Sequence, residues 1–314
     1  MTLPTAANPH VEGGGLCGES KSSILDQVTG DERRWIADYI QFRAGSLPVS
    51  AILERLEARG LSFPVVLKPD IGCHGDGVRL IANIAVLESA LRDFDDGVDL
   101  QIQEFVAHES EAGVFYIRPP GAAATVTSLT LKHAPFVVGD GTSKLRDLIE
   151  RDERTGRISH LYFDRLQDRL SEIVPAGERV TLVFTGNHCK GSIFRNGEAE
   201  ITPALTARID AICSAMPDFH FGRIDLRFRD IASLRRGEDF RIIEINGVGS
   251  EATHIWDPAT TLLSAYRAQF DHYRAAFQIG NTLRGRGYKP MKLIDLFRLW
   301  RKQGRLMASY PPSD

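Results

Sequence analysis

The chain has 314 residues, 43% apolar and 25% charged, enough for a large core in about two domains or lobes. Its 38 Lys and Arg stand against 41 Asp and Glu, a net charge of −3, so a whole-surface attraction to nucleic acid has little electrostatic support. No apolar run approaches the ~20 residues of a membrane helix, and the opening residues lack the basic-then-apolar order of a signal peptide.

Residues 1–19, rich in Gly, Pro and Asn, read as an irregular arm. From Ser20 the pattern turns helical: ILDQV follows Ser22 and Ser23, and Trp35, Tyr39 and Phe42 fall at helical spacing. These residues, 1–44, form an arm with helices. After the breakers Gly45 and Pro48, a short helix over 51–59 ends at Gly60. The apolar run FPVVLKP reads as a strand stopped by proline, followed by the glycine-rich stretch 70–77 and a second strand, VRLIA. Residues 85–93 look helical and DLQIQEFV returns to a strand. A small β-loop-β-α-β lobe over 45–112 is the result.

Beyond it, GVFYIR and TVTSLTL read as strands before a turn at 139–141. LRDLIERDERTG and SHLYFDRLQDRLSEI read as helices. RVTLVFTG, KGSIF, FGRIDLRF and DFRIIEIN read as strands, with ALTARIDAICSAM a helix among them. Strands mixed with helices, without strict βα alternation, predict an α+β second lobe over 113–280. In the last segment, 281–314, residues 283–306 carry eight Lys or Arg against one acid, Asp295. Leu293, Leu296, Phe297 and Trp300 fall at i, i+3, i+4 and i+7, which predicts a basic amphipathic helix. An anionic membrane surface or a partner would accept it; packing against its own domain is the plainer expectation. Cys17, Cys73, Cys189 and Cys213 form no CxxC pair, so free thiols and a cytoplasmic location are expected.

The most informative residues lie in FGRIDLRF and FRIIEIN. Side chains alternate faces along a strand, so Arg223 and Asp225 share one face and Glu244 and Asn246 share another. The polar stretch RDIASLRRGED between them suits a hairpin, which would gather Asp225, Glu244 and Asn246 beside Arg223. Hard divalent ions take oxygen ligands and share their shell with water and phosphate, and a guanidinium there can stabilise developing negative charge. A structural salt bridge from Arg223 or Arg241 to Glu244 meets the cost of a buried carboxylate equally well. Gly72, Gly75 and Gly77, following a strand that ends in Lys68, let backbone N–H groups approach a phosphate. A tight hairpin turn uses the same glycines. The spacing is neither a Walker A loop nor a dinucleotide fingerprint.

Taken in order over about 18–258, these segments resemble the ATP-grasp superfamily, and within it the D-alanine–D-alanine ligase-like carboxylate–amine ligases. The resemblance implies an α+β ATP-grasp fold, two lobes holding ATP between them. FPVVLKPDIGCHGDGV resembles the strand, the phosphate-contacting lysine (Lys68) and the glycine-rich loop that lies over the nucleotide as a lid, here with Gly72, Gly75 and Gly77. IQEFV resembles the hinge that places Gln103, Glu104 and Val106 against adenine, and Glu111 would be the acid near the ribose. GESKSSIL would bring Lys21 to the phosphates. FGRID and EINGVGSEATH resemble the segments in which Asp225, Glu244 and Asn246 hold one or two Mg2+ ions, or Mn2+, while Arg223 faces the reacting carbonyl. PFVVGDGTSKLRDLI resembles a segment of the cyanophycin-synthetase and glutathione-synthesis relatives, in which the basic residue near the phosphates would be Lys132.

One departure is that only twenty residues precede Lys21, where relatives usually carry a separate domain. The substrate site is then built differently, completed by a partner or a second copy, or the chain is a shortened version. The activity implied is amide formation from a small-molecule carboxylate and an amine through an acyl phosphate. A kinase using the same ATP machinery, or a nucleotide-binding subunit with little turnover, are the alternatives. His188-Cys189-Lys190 reads as a turn rather than a nucleophile pair. Cys73, His74, Ser250, Glu251 and His254 lie near the expected site without an assigned role.

Overall fold

The computed structural model describes residues 2–73, 75–184, 186 and 188–313. The α+β class expected from the sequence is the one observed: two antiparallel sheets carrying helices, with a cleft between them.

The smaller sheet has the order β1-β4-β2-β3, from β1 (Tyr39–Arg43), β2 (Val65–Pro69), β3 (Arg79–Ile81) and β4 (Asp99–Glu104). Strand β1 corrects the helical reading of Trp35 to Phe42. A 3-10 turn over Gly30–Trp35 precedes it, and Ile40 and Phe42 enter the core while Gln41 and Arg43 face water. Pairing with β4 satisfies its backbone and buries both apolar side chains, which outweighs a weak helical periodicity of aromatic residues. The core is completed by Ile52 and Leu56 of α2 (Val49–Ala58) and Leu87 of α3 (Ile84–Arg92). Gly60, at φ +68, stops the chain after α2 as expected. The first helix, α1 (Lys21–Leu25), precedes this sheet and is capped by Ser20, whose hydroxyl accepts from the Ser23 N–H at 3.0 Å.

The larger sheet has the order β11-β10-β5-β6-β9. It comprises β5 (Ser110–Ile117), β6 (Thr125–His133), β9 (Ile193–Asn196), β10 (Phe221–Phe228) and β11 (Phe240–Asn246). A ribbon of β7 (Phe136–Val138) and β8 (Arg179–Thr181) stands apart with its own core around Leu145, Ile149 and Tyr162. Here the helices are shorter than predicted. Helix α4 (Leu145–Arg151) stops because the Asp152 carboxylate accepts from the Thr155 N–H at 2.8 Å. Helix α5 (His160–Phe163) gives way to i→i+3 turns, since Tyr162 is tied to the Lys190 carbonyl and Arg165 to that of Leu182. Helix α6 (Pro203–Ser214) covers the sheet as predicted, and the short α7 (Ile231–Arg235), capped by Asp230, sits inside the β10–β11 connection.

Two features were not legible. The predicted amphipathic helix is α9 (Leu293–Met307), but the long α8 (Leu262–Gly285) before it was not foreseen; the two are separated where Gly287 takes φ +101 and Pro290 follows. The N-terminal arm is irregular but buried. Asn8 accepts from the His220 and Phe221 N–H groups at 2.9 and 3.1 Å and donates to the Phe221 carbonyl at 2.7 Å. Gly15, at φ +74, lies so close to Gly247 that a Cβ would come within 2.6 Å of its Cα. Only glycine lets the arm seat on the loop that follows β11.

Candidate active site

The cleft between the sheets holds a cavity of about 1080 Å³. Its floor is the β10–β11 pair, which sets Arg223 opposite Asn246 and Asp225 opposite Glu244. Asp225 is the electrostatic centre. Its carboxylate accepts from Arg223 Nε at 3.0 Å and Nη2 at 3.1 Å, from Lys132 Nζ at 3.0 Å and from Asn246 Nδ2 at 3.2 Å. Burial pushes its pKa up, but Arg223 and Lys132 outweigh burial and hold it below the usual carboxylate value. Burial likewise pulls Lys132 down, and Asp225 and Glu111 more than restore it. Lys132 reaches Asp225 because β6 runs beside β5, where it faces Glu111 and bonds its carboxylate at 2.9 Å. Between them on β5 stands Gly113, where a Cβ would lie 3.0 Å from the Asp225 carboxylate.

The small lobe supplies the opposite wall. Lys68 on β2 donates to Gln103 Oε1 at 2.8 Å and, across the cleft, to the Ile243 carbonyl at 3.1 Å. Burial lowers its pKa to about 8; Lys21 adds to the effect and Glu244 opposes it. Lys21 opens α1, which Asp70 fastens to the end of β2 by accepting from the Ser22 N–H at 2.8 Å. Its amine donates to the Gly72 carbonyl at 2.6 Å and lies 3.6 Å from Glu244. Gly72 and Gly75 line the cleft. Gly77 instead packs where a Cβ would meet Pro69 and Phe94. His74 lies outside the described residues.

At the hinge, Gln103, Glu104 and Val106 all border the cavity. The Glu104 carboxylate is engaged by Arg241 at 2.7 Å and by the Asp38 N–H at 3.1 Å, so it ties the lobes together. The Val106 carbonyl accepts from Arg227 at 2.8 Å. Arg227 lies over the rings of Phe105 and Phe184, 5.6 and 5.1 Å from their centroids. Neither Arg227 nor Phe184 was singled out from the sequence, although Arg227 shares the strand face of Arg223 and Asp225 by period two. His188 falls in a 3-10 turn over His188–Lys190 and sits 5.5 Å from the Trp256 ring. The side chain of Cys189 is outside the described residues. Ser250 and Glu251 border the cavity, and the Glu251 carbonyl accepts from Arg223 at 3.1 Å. Of α9, Trp300, Arg301, Gln303 and Arg305 line the outer cleft, a placement nothing in the sequence pattern announces.

Among the described residues no three His, Cys, Asp or Glu side chains converge as a metal group. The oxygen donors nevertheless suit a hard cation. Asn246 turns its amide nitrogen to Asp225, and its carbonyl oxygen has no hydrogen bond among the described residues; Glu244 has only its loose pair with Lys21. One carboxylate and one amide oxygen match an ion that keeps several waters and shares phosphate oxygens. Asp225, with its four donors, serves foremost to hold Arg223, Lys132 and Asn246 in place.

No protein-family model matches the chain, and no curated protein matches it. Similar solved structures include a bifunctional glutathione synthetase from Pasteurella multocida, at 15% identity and TM-score 0.40, covering 76% of this chain and 34% of that one. VanG D-Ala:D-Ser ligase from Enterococcus faecalis is 11% identical at TM-score 0.46, covering 84% of this chain and 61% of its own. D-Alanine–D-alanine ligase from Bacillus anthracis complexed with ATP is 14% identical at TM-score 0.43, covering 86% and 66%. The chain thus spans less than two thirds of the length of these proteins.

Proposed function

We propose that the chain is an ATP-dependent carboxylate–amine ligase of the ATP-grasp type. The observation that carries this reading is the convergence of Lys21, Lys68, Lys132 and Arg223 with Glu244 and Asn246 on one cleft between two sheets. Such a concentration of cations in a partly buried site suits a polyphosphate. The hinge residues Gln103, Glu104 and Val106, with Glu111 further along, border the base and ribose. Glu244 and Asn246 would hold Mg2+ or Mn2+, which would supply charge neutralisation on the phosphates, while Asp225 holds Arg223, Lys132 and Asn246 around them.

In the reaction, an oxygen of the substrate carboxylate attacks the γ-phosphorus of ATP and ADP leaves. The amine nitrogen then attacks the acyl carbon and gives up a proton, the C–O bond to phosphate breaks, and an amide, inorganic phosphate and that proton remain. Lys21 and Lys68 hold the phosphates, and Arg223, fixed from both sides by Asp225 and the Glu251 carbonyl, faces the oxygen on which charge develops. The decisive test supplies Mg-ATP, pooled carboxylates and hydroxylamine, which traps an acyl phosphate as a coloured hydroxamate. Carboxylate-dependent hydroxamate with ADP is the expected result. ADP with phosphate retained on a hydroxyl product would replace the ligase by a kinase.

Lys68 gives this reading a pH signature. It is protonated below its pKa of about 8 and neutral above it, so nucleotide affinity is expected to fall about tenfold between pH 7 and pH 9. Lys68→Arg keeps its charge throughout and should flatten that fall, as isothermal titration at the two pH values would read.

A further inference from the structure

We propose that the outer face of α9 docks the protein on an anionic lipid surface. The helix is already held in place from within. Leu299 packs at Gly18, Leu296 at Gly13, and Gln303 accepts from the Gly18 N–H at 2.9 Å. Just beyond the helix, Tyr310 donates to the Ile71 carbonyl at 2.6 Å. What faces outward is therefore a formed helix with no ordering left to do on binding.

That outer face is apolar and large. Leu293, Ile294, Phe297 and Trp300 are 60, 54, 49 and 61% exposed, and all four fall within one third of the helix circumference at 100° per residue. Arg298, Lys302 and Arg305 form a basic band along one edge of this stripe, and Arg301 falls within it between Phe297 and Ile294. The single acid, Asp295, is paired to Arg298 at 2.9 Å. An aromatic and aliphatic stripe flanked by Lys and Arg is the pattern of a helix lying in the plane of a bilayer interface.

Charge selects this occupant over a second copy. Helix α9 carries four Lys or Arg (Arg298, Arg301, Lys302 and Arg305) against Asp295, although the whole chain has a net charge of −3. The remainder of the molecule is therefore acid-rich and would be turned away from an anionic surface, while the helix is drawn to it. Two copies meeting through α9 would set these basic bands against each other. Trp300, Arg301 and Arg305 also line the outer cleft, so docking would place the mouth of the cleft at the surface. The full span is not transmembrane: no helix among the described residues is long and apolar enough to cross.

The full chain would be sedimented with vesicles of phosphatidylcholine alone or with about one third phosphatidylserine. Binding at least about tenfold tighter to the anionic vesicles, weakening as salt is raised, is the expected result. Leu293→Ser with Phe297→Ser, and separately Arg298→Glu with Lys302→Glu, should each lower it about tenfold. These positions are exposed, and unchanged circular dichroism would show that the variants fold. Equal partition onto both vesicles, no binding at low salt, or binding untouched by either pair of changes would overturn the assignment. So would a concentration-dependent dimer that Phe297→Ser dissolves without any vesicle binding. The readout uses no turnover, so its failure leaves the ligase reading standing, and the converse holds too.

Discussion

Replacing Glu244 by alanine is expected to lower ATP-dependent ADP formation by at least about a hundredfold while the protein stays folded. The two halves of this expectation have separate grounds. Structurally, Glu244 is a poor candidate for a keystone: it is half-buried on an edge strand, and its ion pair with Lys21 is long at 3.6 Å. A pair of that kind contributes no more than about 1 kcal/mol. Functionally, among the described residues its carboxylate at the cleft floor is engaged by the long Lys21 pair alone. Glu244→Gln sharpens the test, since it keeps the volume and removes the charge. If Glu244 holds the cation that accompanies the nucleotide, the variant should need a much higher Mg2+ concentration for half-maximal rate. A variant with full activity and an unchanged Mg2+ requirement would end the metal assignment; one that melts early would mean that Glu244 serves the fold instead.

That the floor of the site was legible while its roof was not has a physical cause. Period-two alternation in FGRIDLRF and FRIIEIN fixes which side chains share a face, and the polar connection suits a hairpin, so the gathering of Arg223, Asp225, Glu244 and Asn246 follows from local rules; the bulge beside Asp225 and the helix α7 in the connection do not. Arg227 obeys the same alternation and could have been found with them. The strand at Tyr39–Arg43 was hidden because aromatic residues at positions 35, 39 and 42 mimic a helical stripe, and only the distant β4 reveals the better partner. Lys132 was suggested by a resemblance; its bond to Asp225 depends on three adjacent strands whose order no local pattern encodes. The entry of α9 into the cleft depends on contacts with Gly13, Gly18 and Ile71, nearly the length of the chain away. Tertiary placement of this kind leaves an amphipathic helix looking the same whether it lies over a cleft or elsewhere.

Asp225→Asn is the change expected to cost the most stability, about 3–5 kcal/mol, because it strips the counter-charge from two buried cations at once. The Asp225 and Lys132 side chains are only 5% and 6% exposed, and Arg223 is 17% exposed. Water cannot take over the lost interactions, so Lys132 would either pay the full desolvation penalty or shift onto Glu111 alone, 2.9 Å away. Urea denaturation should show the loss. The pH dependence has a definite sign: with the folded pKa held below the ordinary carboxylate value, the stabilisation is complete above that value and is lost as pH falls through the depressed one. Wild type should therefore weaken in acid across that window, and Asp225→Asn should not share the loss. A second variant separates charge from shape. Asp225→Asn combined with Lys132→Met removes one of the stranded cations, so the pair should be less destabilised than the two single changes added together. Simple additivity would mean that Asp225 and Lys132 do not hold each other, and that the centre of the cleft is maintained by packing around Gly113 and Arg223 rather than by charge.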